Sequence, residues 1–176
     1  MVEAIYIVAG IPGAGKTTVS RLLAQRFDRG VHLESDRLQE WIVSGGLWPQ
    51  QEPREEAYRQ LSLRTHNVCL LANSYFEAGF TPVIDDVVIG TRLGEFLREL
   101  HGRPLRFVLL TPSLGEVQRR DAKRSTKHVF STWSHLDAEM RRETPRVGLW
   151  LDSTHLTAEG TVDAILAGGG EADLFK

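Results

Sequence analysis

Three stretches of this chain carry residues whose types and spacing can do chemistry. The first is "GIPGAGKT", residues 10–17, which matches the spacing G-x-x-x-x-G-K-[ST] in full. Glycines so placed let consecutive backbone N–H groups turn inward around phosphate oxygens. A helix that starts there adds the positive end of its dipole. Gly10, Pro12, Gly13, Ala14 and Gly15 form the loop itself. Lys16 would reach the β- and γ-phosphates, the Thr17 hydroxyl would ligate Mg²⁺, and Thr18 would add a contact to the α-phosphate. No N-K-x-D, the usual reader of guanine, occurs in the chain, so ATP is the expected nucleotide.

The second stretch is "HLESDRLQEW", residues 32–41. Asp36 has two readings. Ser35 or Asp36 can cap the helix that opens there, or Asp36 can take a proton from a substrate. Both hold if Ser35 caps and Asp36 faces a cleft. Arg37 either orients a substrate or is a solvated helix residue. The third stretch is "VIDDVV", residues 83–88. Asp85 and Asp86 end an apolar run, so one of them is expected in the Mg²⁺ shell, directly or through water. Asp85 is the better metal candidate, and Asp86 is expected to point into the acceptor cleft.

The elements that must position these residues follow from periodicity. Short β-branched or apolar runs alternate with helical patterns, as in βαβ units around a parallel sheet. Strands are expected over 4–9, 30–34, 81–85, 105–110 and 149–152, and helices over 15–27, 36–44, 53–78, 91–101, 113–124, 132–142 and 157–167. Gly45–Gly46 should stop the second helix. Pro53 and Gly79 should bound the long third one. Its buried stripe should be Ala57, Leu61, Val68, Leu71 and Tyr75. "STKHVFS", residues 125–131, breaks the pattern, and a loose "GGG" tail ends the chain. The expected fold class is α/β: a three-layer sandwich with a five-stranded parallel sheet and ligands at the carboxyl ends of the strands.

The bulk properties narrow the partners. A chain of 176 residues fits a single domain, with 41% hydrophobic and 25% charged residues giving a normal core. A net charge of −2 argues against an electrostatic nucleic-acid binder. The single cysteine, Cys69, allows no internal disulfide and fits a reduced, cytoplasmic setting. The start "MVEAIYIVAG" lacks a basic n-region and is not expected to be a signal peptide. No apolar run approaches the about 20 residues of a membrane span. The histidines show no ligand spacing, and the oligomeric state is open.

The order of parts resembles the small P-loop kinases of the nucleoside-monophosphate-kinase fold. Within that group it is most similar to the chloramphenicol phosphotransferase-like kinases, with gluconate, shikimate and polynucleotide 5′-kinases more distant. "GIPGAGKTT", "ESDRL", "VIDDVVIG", "RRDAKR" and "GLWLDST" carry the resemblance across nearly the whole chain. It implies a single P-loop kinase domain over 1–176, with a lid segment at about 120–134. By position, the resemblance makes Asp36 the base facing an acceptor hydroxyl. It makes Arg120 and Arg124, four apart on one helix face, the lid arginines that hold adenine or phosphate and stabilise charge on the transferred group. Trp41 and Trp48 are acceptor-pocket or core residues; Arg54, Arg59 and Arg64 either bind an anionic acceptor or cover an outer helix face. The implied activity is ATP- and Mg²⁺-dependent transfer to a hydroxyl of a small molecule such as an antibiotic, sugar or nucleoside. "SDRL" also resembles adenylate kinases, but their G-F-P-R run after strand three is absent, so a nucleoside-monophosphate kinase is the second reading. A nucleotide-binding switch with slow hydrolysis is the third, and a nucleic-acid end kinase the fourth.

Overall fold

A computed structural model describes residues 4–123 and 130–175 of the chain. Its elements run β1 (Ile5–Ala9), α1 (Lys16–Ala24), β2 (Gly30–Glu34), α2 (Ser35–Glu40), α3 (Arg54–Glu77), β3 (Thr81–Asp86), α4 (Arg92–Glu99) and β4 (Leu105–Leu110). Then follow α5 (Leu114–Ala122), α6 (Phe130–Trp133), α7 (Leu136–Glu143), β5 (Leu149–Leu151), α8 (Ala158–Ala167) and α9 (Gly169–Ala172). The five strands form one parallel sheet in the order β2-β3-β1-β4-β5. The α/β fold is the one expected.

The reason lies in which faces are covered. Every residue of β1 is buried, as a central parallel strand requires when helices cover both faces. β2 lies at the sheet edge and is half-buried throughout. α1 packs beside α8, while α3 packs beside α4. The core joins Ile5, Ile7 and Val8 of β1 to Leu23, Val68, Ile84, Phe96, Phe107 and Ile165 from the surrounding elements. Fully burying each such side chain stabilises the fold by about 1.5–3 kcal/mol. Gly30 allows the closest approach: a Cβ there would lie 1.8 Å from the Ala24 carbonyl oxygen, where α1 hands over to β2. Ser113 and Thr157 cap α5 and α8 through Glu116 N and Gly160 N.

Several expected boundaries move. α2 starts at Ser35 and ends at Glu40, and Pro53 is the N-cap of α3, one residue before its first turn. Of the expected α3 stripe, Ala57, Leu61 and Val68 are buried, but Tyr75 is exposed. The helix expected over 132–142 is split into α6 and α7 by a turn at 134–135. The glycine tail is not loose: α9 forms there, and Arg106 Nε donates to Asp173 Oδ1 at 2.8 Å.

Candidate active site

The register brings the chemistry-bearing residues to one end of the sheet. Asp85 and Asp86 of β3 stand opposite Val8 and Ala9, the last residues of β1 before the glycine loop. Glu34, immediately before α2, stands opposite Asp85 on the other side. The loop, the start of α2 and the acidic pair therefore meet at the carboxyl ends of three neighbouring strands.

The loop has the backbone that its glycines predict. Gly13 and Gly15 have φ of 91° and 95°, a left-handed geometry that side chains rarely adopt. Gly15 is the N-cap of α1, with no side-chain cap and no acidic residue in the first turn to occupy the helix end. Thr17 and Thr18 are exposed, and Lys16 Nζ donates to the Ile11 carbonyl at 3.2 Å, folded over the loop. An open cleft of about 740 Å³ lies alongside, between Gly13, Gly15 and Thr18 on one wall and Arg119, Arg120 and His155 on another. A glycine loop before an uncapped helix start, a lysine and room for a base suit a nucleoside triphosphate. Asp85 is buried at the strand end, with its Oδ2 2.6 Å from His32 Nε2. Its carboxylate and the Thr17 hydroxyl are oxygen donors that fit Mg²⁺.

Arg120 lines this cleft, and its guanidinium holds protein groups. Its Nε donates to Glu116 Oε1 at 2.7 Å, Nη1 to the Ala14 carbonyl at 3.1 Å, and Nη2 to the Ser153 carbonyl at 2.8 Å. It thereby ties α5 to the glycine loop and to the segment after β5. Arg119 is exposed, lines the cleft and grips Glu116. Hydrogen bonds from Arg119 above all, and from Arg120, hold the Glu116 carboxyl at about 2. Arg124 lies outside the described residues, as does part of the expected lid, residues 124–129.

At the start of α2 the expected cap is not made. The N-cap of α2 is Glu34, and it makes no side-chain cap hydrogen bond. Ser35 is already helical, and its buried hydroxyl has no partner among the described residues. The expected cap at Ser35 or Asp36 is therefore absent, because the helix begins one residue earlier than the sequence pattern suggested. Asp36 sits in the first turn with 58% of its side chain open. Its Oδ1 accepts from Arg64 Nη1 at 2.9 Å. Desolvation by the surrounding protein raises its pKa above the usual carboxylate range; Asp86 and Asp85 add to this, while Arg64 and Lys16 oppose it.

Asp86 does not point into an open cleft. It is buried, and both its oxygens are taken: Oδ1 by Arg64 Nη2 at 2.8 Å and Val87 N at 2.7 Å, Oδ2 by Arg92 Nη2 at 3.1 Å. Burial pushes its pKa up, but Arg92, Arg64 and the hydrogen bonds outweigh that and hold it below the ordinary value. Arg92 also donates to Thr65 Oγ1 at 2.8 Å and to the Val87 carbonyl. Adjacent strand residues face opposite sides of a sheet, so Asp85 meets His32 while Asp86 meets α3 and α4.

The other candidates near α2 and α3 are less engaged. Arg37 is exposed and pairs with Glu34 and Glu40 of its own neighbourhood. Trp41 is 68% exposed, and Trp48 is half-buried. Arg54 and Arg59 pair with Glu52 and Glu56 on the surface. Arg64 is the exception, since it is buried rather than on an outer face. Arg92, His32, Gln39 and Gln60 carry no motif, and sequence reasoning missed them. Gln60 Nε2 donates to the Gly45 carbonyl at 2.9 Å and its Oε1 accepts from Leu47 N at 2.7 Å, while Gln39 Nε2 donates to the Leu47 carbonyl at 2.8 Å. These two buried glutamines pin the loop between α2 and α3. Cys69 is inert there, its buried thiol pushed up to about 12.

Comparison with known proteins agrees with this fold. A family model described as an AAA domain matches residues 5–145. No curated protein matches the chain. Among solved structures, the tunicamycin resistance protein of Deinococcus radiodurans is similar, with a TM-score of 0.69 at 16% identity over 99% of this chain and 100% of that one. A sugar kinase from Janibacter sp. HTCC2649 gives 0.66 at 16% identity, over 98% and 96% of the two chains. The APS kinase of Mycobacterium tuberculosis, in complex with AMPPNP and APS, gives 0.70 at 12% identity, over 96% and 98%. At these identities the likeness is one of fold, and the fold is that of the small P-loop kinases.

Proposed function

The chain belongs to that AAA domain family, and from this premise we propose that it is an ATP- and Mg²⁺-dependent phosphotransferase acting on a hydroxyl of a small molecule. The observation that carries the reading is the pairing of two features at one sheet end. A helix with no side-chain cap behind a glycine loop stands on one side, and Asp36, half-exposed and with raised proton affinity, stands on the other. Three similar structures, a sugar kinase, a gluconokinase from Sinorhizobium meliloti and an APS kinase, support a phosphoryl acceptor on that side.

Each residue then has a task. The backbone of Gly13–Thr18 and the Lys16 ammonium hold the phosphate oxygens and offset their charge. Thr17 and Asp85 would hold the magnesium ion, which when bound shields charge on the phosphates. Arg120 keeps the loop in register with the cleft wall through Ala14 and Ser153. An alcohol is a weak nucleophile, so the Asp36 carboxylate accepts its proton as oxygen bonds to the γ-phosphorus and the bridging oxygen leaves with ADP. Desolvation by the surrounding protein raises the proton affinity of the Asp36 carboxylate, which makes it a stronger base.

The test is ADP release from Mg·ATP across a broad panel of hydroxylated metabolites and antibiotics. At least one alcohol should stimulate release and be recovered phosphorylated. Asp36→Asn should keep ATP affinity and lower kcat by roughly 10²–10⁴-fold. Stimulation by nucleoside monophosphates alone would favour the monophosphate-kinase reading. Release into water alone would favour a nucleotide switch.

A further inference from the structure

The acceptor side holds a charge arrangement that phosphate binding does not require. Arg64 rises from the middle of α3 with only 5% of its side chain accessible. A buried guanidinium is costly unless carboxylates meet it, and breaking such a pair leaves an uncompensated charge. Two carboxylates from two other elements meet this one: Asp36 from α2 on Nη1 and Asp86 from β3 on Nη2. Asp86 is in turn fixed by Arg92 and by its own following amide. α2 itself is only six residues long and lacks a side-chain cap, so its own structure does little to fix the Asp36 carboxylate.

We propose that Arg64 is the positioning residue for Asp36: a guanidinium locked by the buried Asp86 presents one N–H to the Asp36 carboxylate and sets where it can receive a proton. This rests on the reading of Asp36 as the base and goes beyond it by assigning the residue that aims that base. Burial keeps Arg64 from holding an anionic acceptor itself, which was one of its two sequence readings. The planar fork matters, because it bridges two carboxylates in fixed directions where a lysine would act as a point charge. The groups facing Asp36 are Arg64 from α3, Asp85 and Asp86 from β3, and Lys16 from the start of α1; on α2, Arg37 and Glu40 pair with each other. Of the two cations, Arg64 acts the more strongly, so its removal must raise the proton affinity of Asp36.

Arg64→Met and Arg64→Lys, made in the full chain, test this without knowledge of the acceptor. Carboxyl ¹³C NMR of aspartate-labelled protein reads the titration midpoint of Asp36, assigned by the signal lost in Asp36→Asn. The midpoint should rise by about one pH unit or more in Arg64→Met, and by less in Arg64→Lys. In parallel, ADP release from Mg·ATP is measured with water as the acceptor. Arg64→Lys should slow it about tenfold in the wild-type background and leave it unchanged in the Asp36→Asn background, as expected for residues acting as a unit. An unmoved midpoint in both variants, or an equal slowing in both backgrounds, overturns the proposal. A midpoint that moves while Asp36→Asn itself releases ADP at the wild-type rate overturns the general-base reading alone. Should Arg64→Met fail to fold, Arg64→Lys carries both measurements.

Discussion

Replacing Asp86 with asparagine separates a buried structural charge from a metal or substrate ligand. Asparagine keeps the shape and one oxygen acceptor but removes the charge between Arg64 and Arg92, two guanidiniums that lie 2.8 and 3.1 Å from its oxygens. Breaking a buried ion pair costs about 3–5 kcal/mol, and the retained hydrogen-bonding shape puts this change near the lower end, about 3 kcal/mol. For a chain of this size that is a fall in Tm of roughly 6–12 °C. Urea unfolding followed by tryptophan fluorescence would measure it at pH 7. The pH dependence has a fixed sign. The Asp86 carboxyl is held below its unfolded value of about 3.9, so its stabilisation is complete above that pH and is lost as pH falls through the folded pKa. The gap between wild type and Asp86→Asn should therefore narrow below about pH 4. Affinity for an ATP analogue at pH 7 should change by less than about twofold, because the side-chain hydrogen bonds of Asp86 go to Arg64, Arg92 and Val87 and none of them to the phosphate loop. A stability loss under about 1 kcal/mol, joined to a collapse of Mg·ATP binding, would refute the reasoning and make Asp86 a metal ligand.

Two further outcomes follow from the nucleotide side. Lys16→Ala should lower ADP release by at least about 10²-fold while urea unfolding stays within about 0.5 kcal/mol of wild type; normal turnover would remove the phosphate role of the loop. Arg120→Met loses hydrogen bonds to Glu116, Ala14 and Ser153 and should weaken ATP binding about tenfold in an equilibrium titration, the worth of one charge-assisted hydrogen bond. Unchanged ATP affinity would make Arg120 a surface tie with no hold on the cleft.

The parts legible in the sequence are those that local rules govern. The alternation of apolar runs and helical patterns gave five strands close to their observed places, because parallel strands buried on both faces must be apolar throughout. α2 was misjudged at both ends. Its start has no side-chain cap to betray it, and after the turn at Trp41 and Ile42 the chain is held at Gly45 and Leu47 by Gln39 and Gln60 instead of by further helix bonds. Arg64 did leave a trace. It falls three residues after Leu61 and four before Val68, on the buried stripe of α3. A charge at such a position signals a buried counter-charge, although no spacing rule says which residue supplies it.

The phosphate loop is the part that the sequence by itself determined. Backbone N–H groups do the binding, and a short run of glycines before a helix is enough to aim them. Which aspartate does what was decided only by the tertiary structure. Asp36, Asp85 and Asp86 are equal as letters, but the sheet turns Asp85 to His32 and Asp86 to Arg64 and Arg92, and leaves Asp36 open at the rim. The partners that set these three environments come from α3, α4 and β2, far along the chain, and a carboxylate's role follows from the charges and the burial that the fold brings to it.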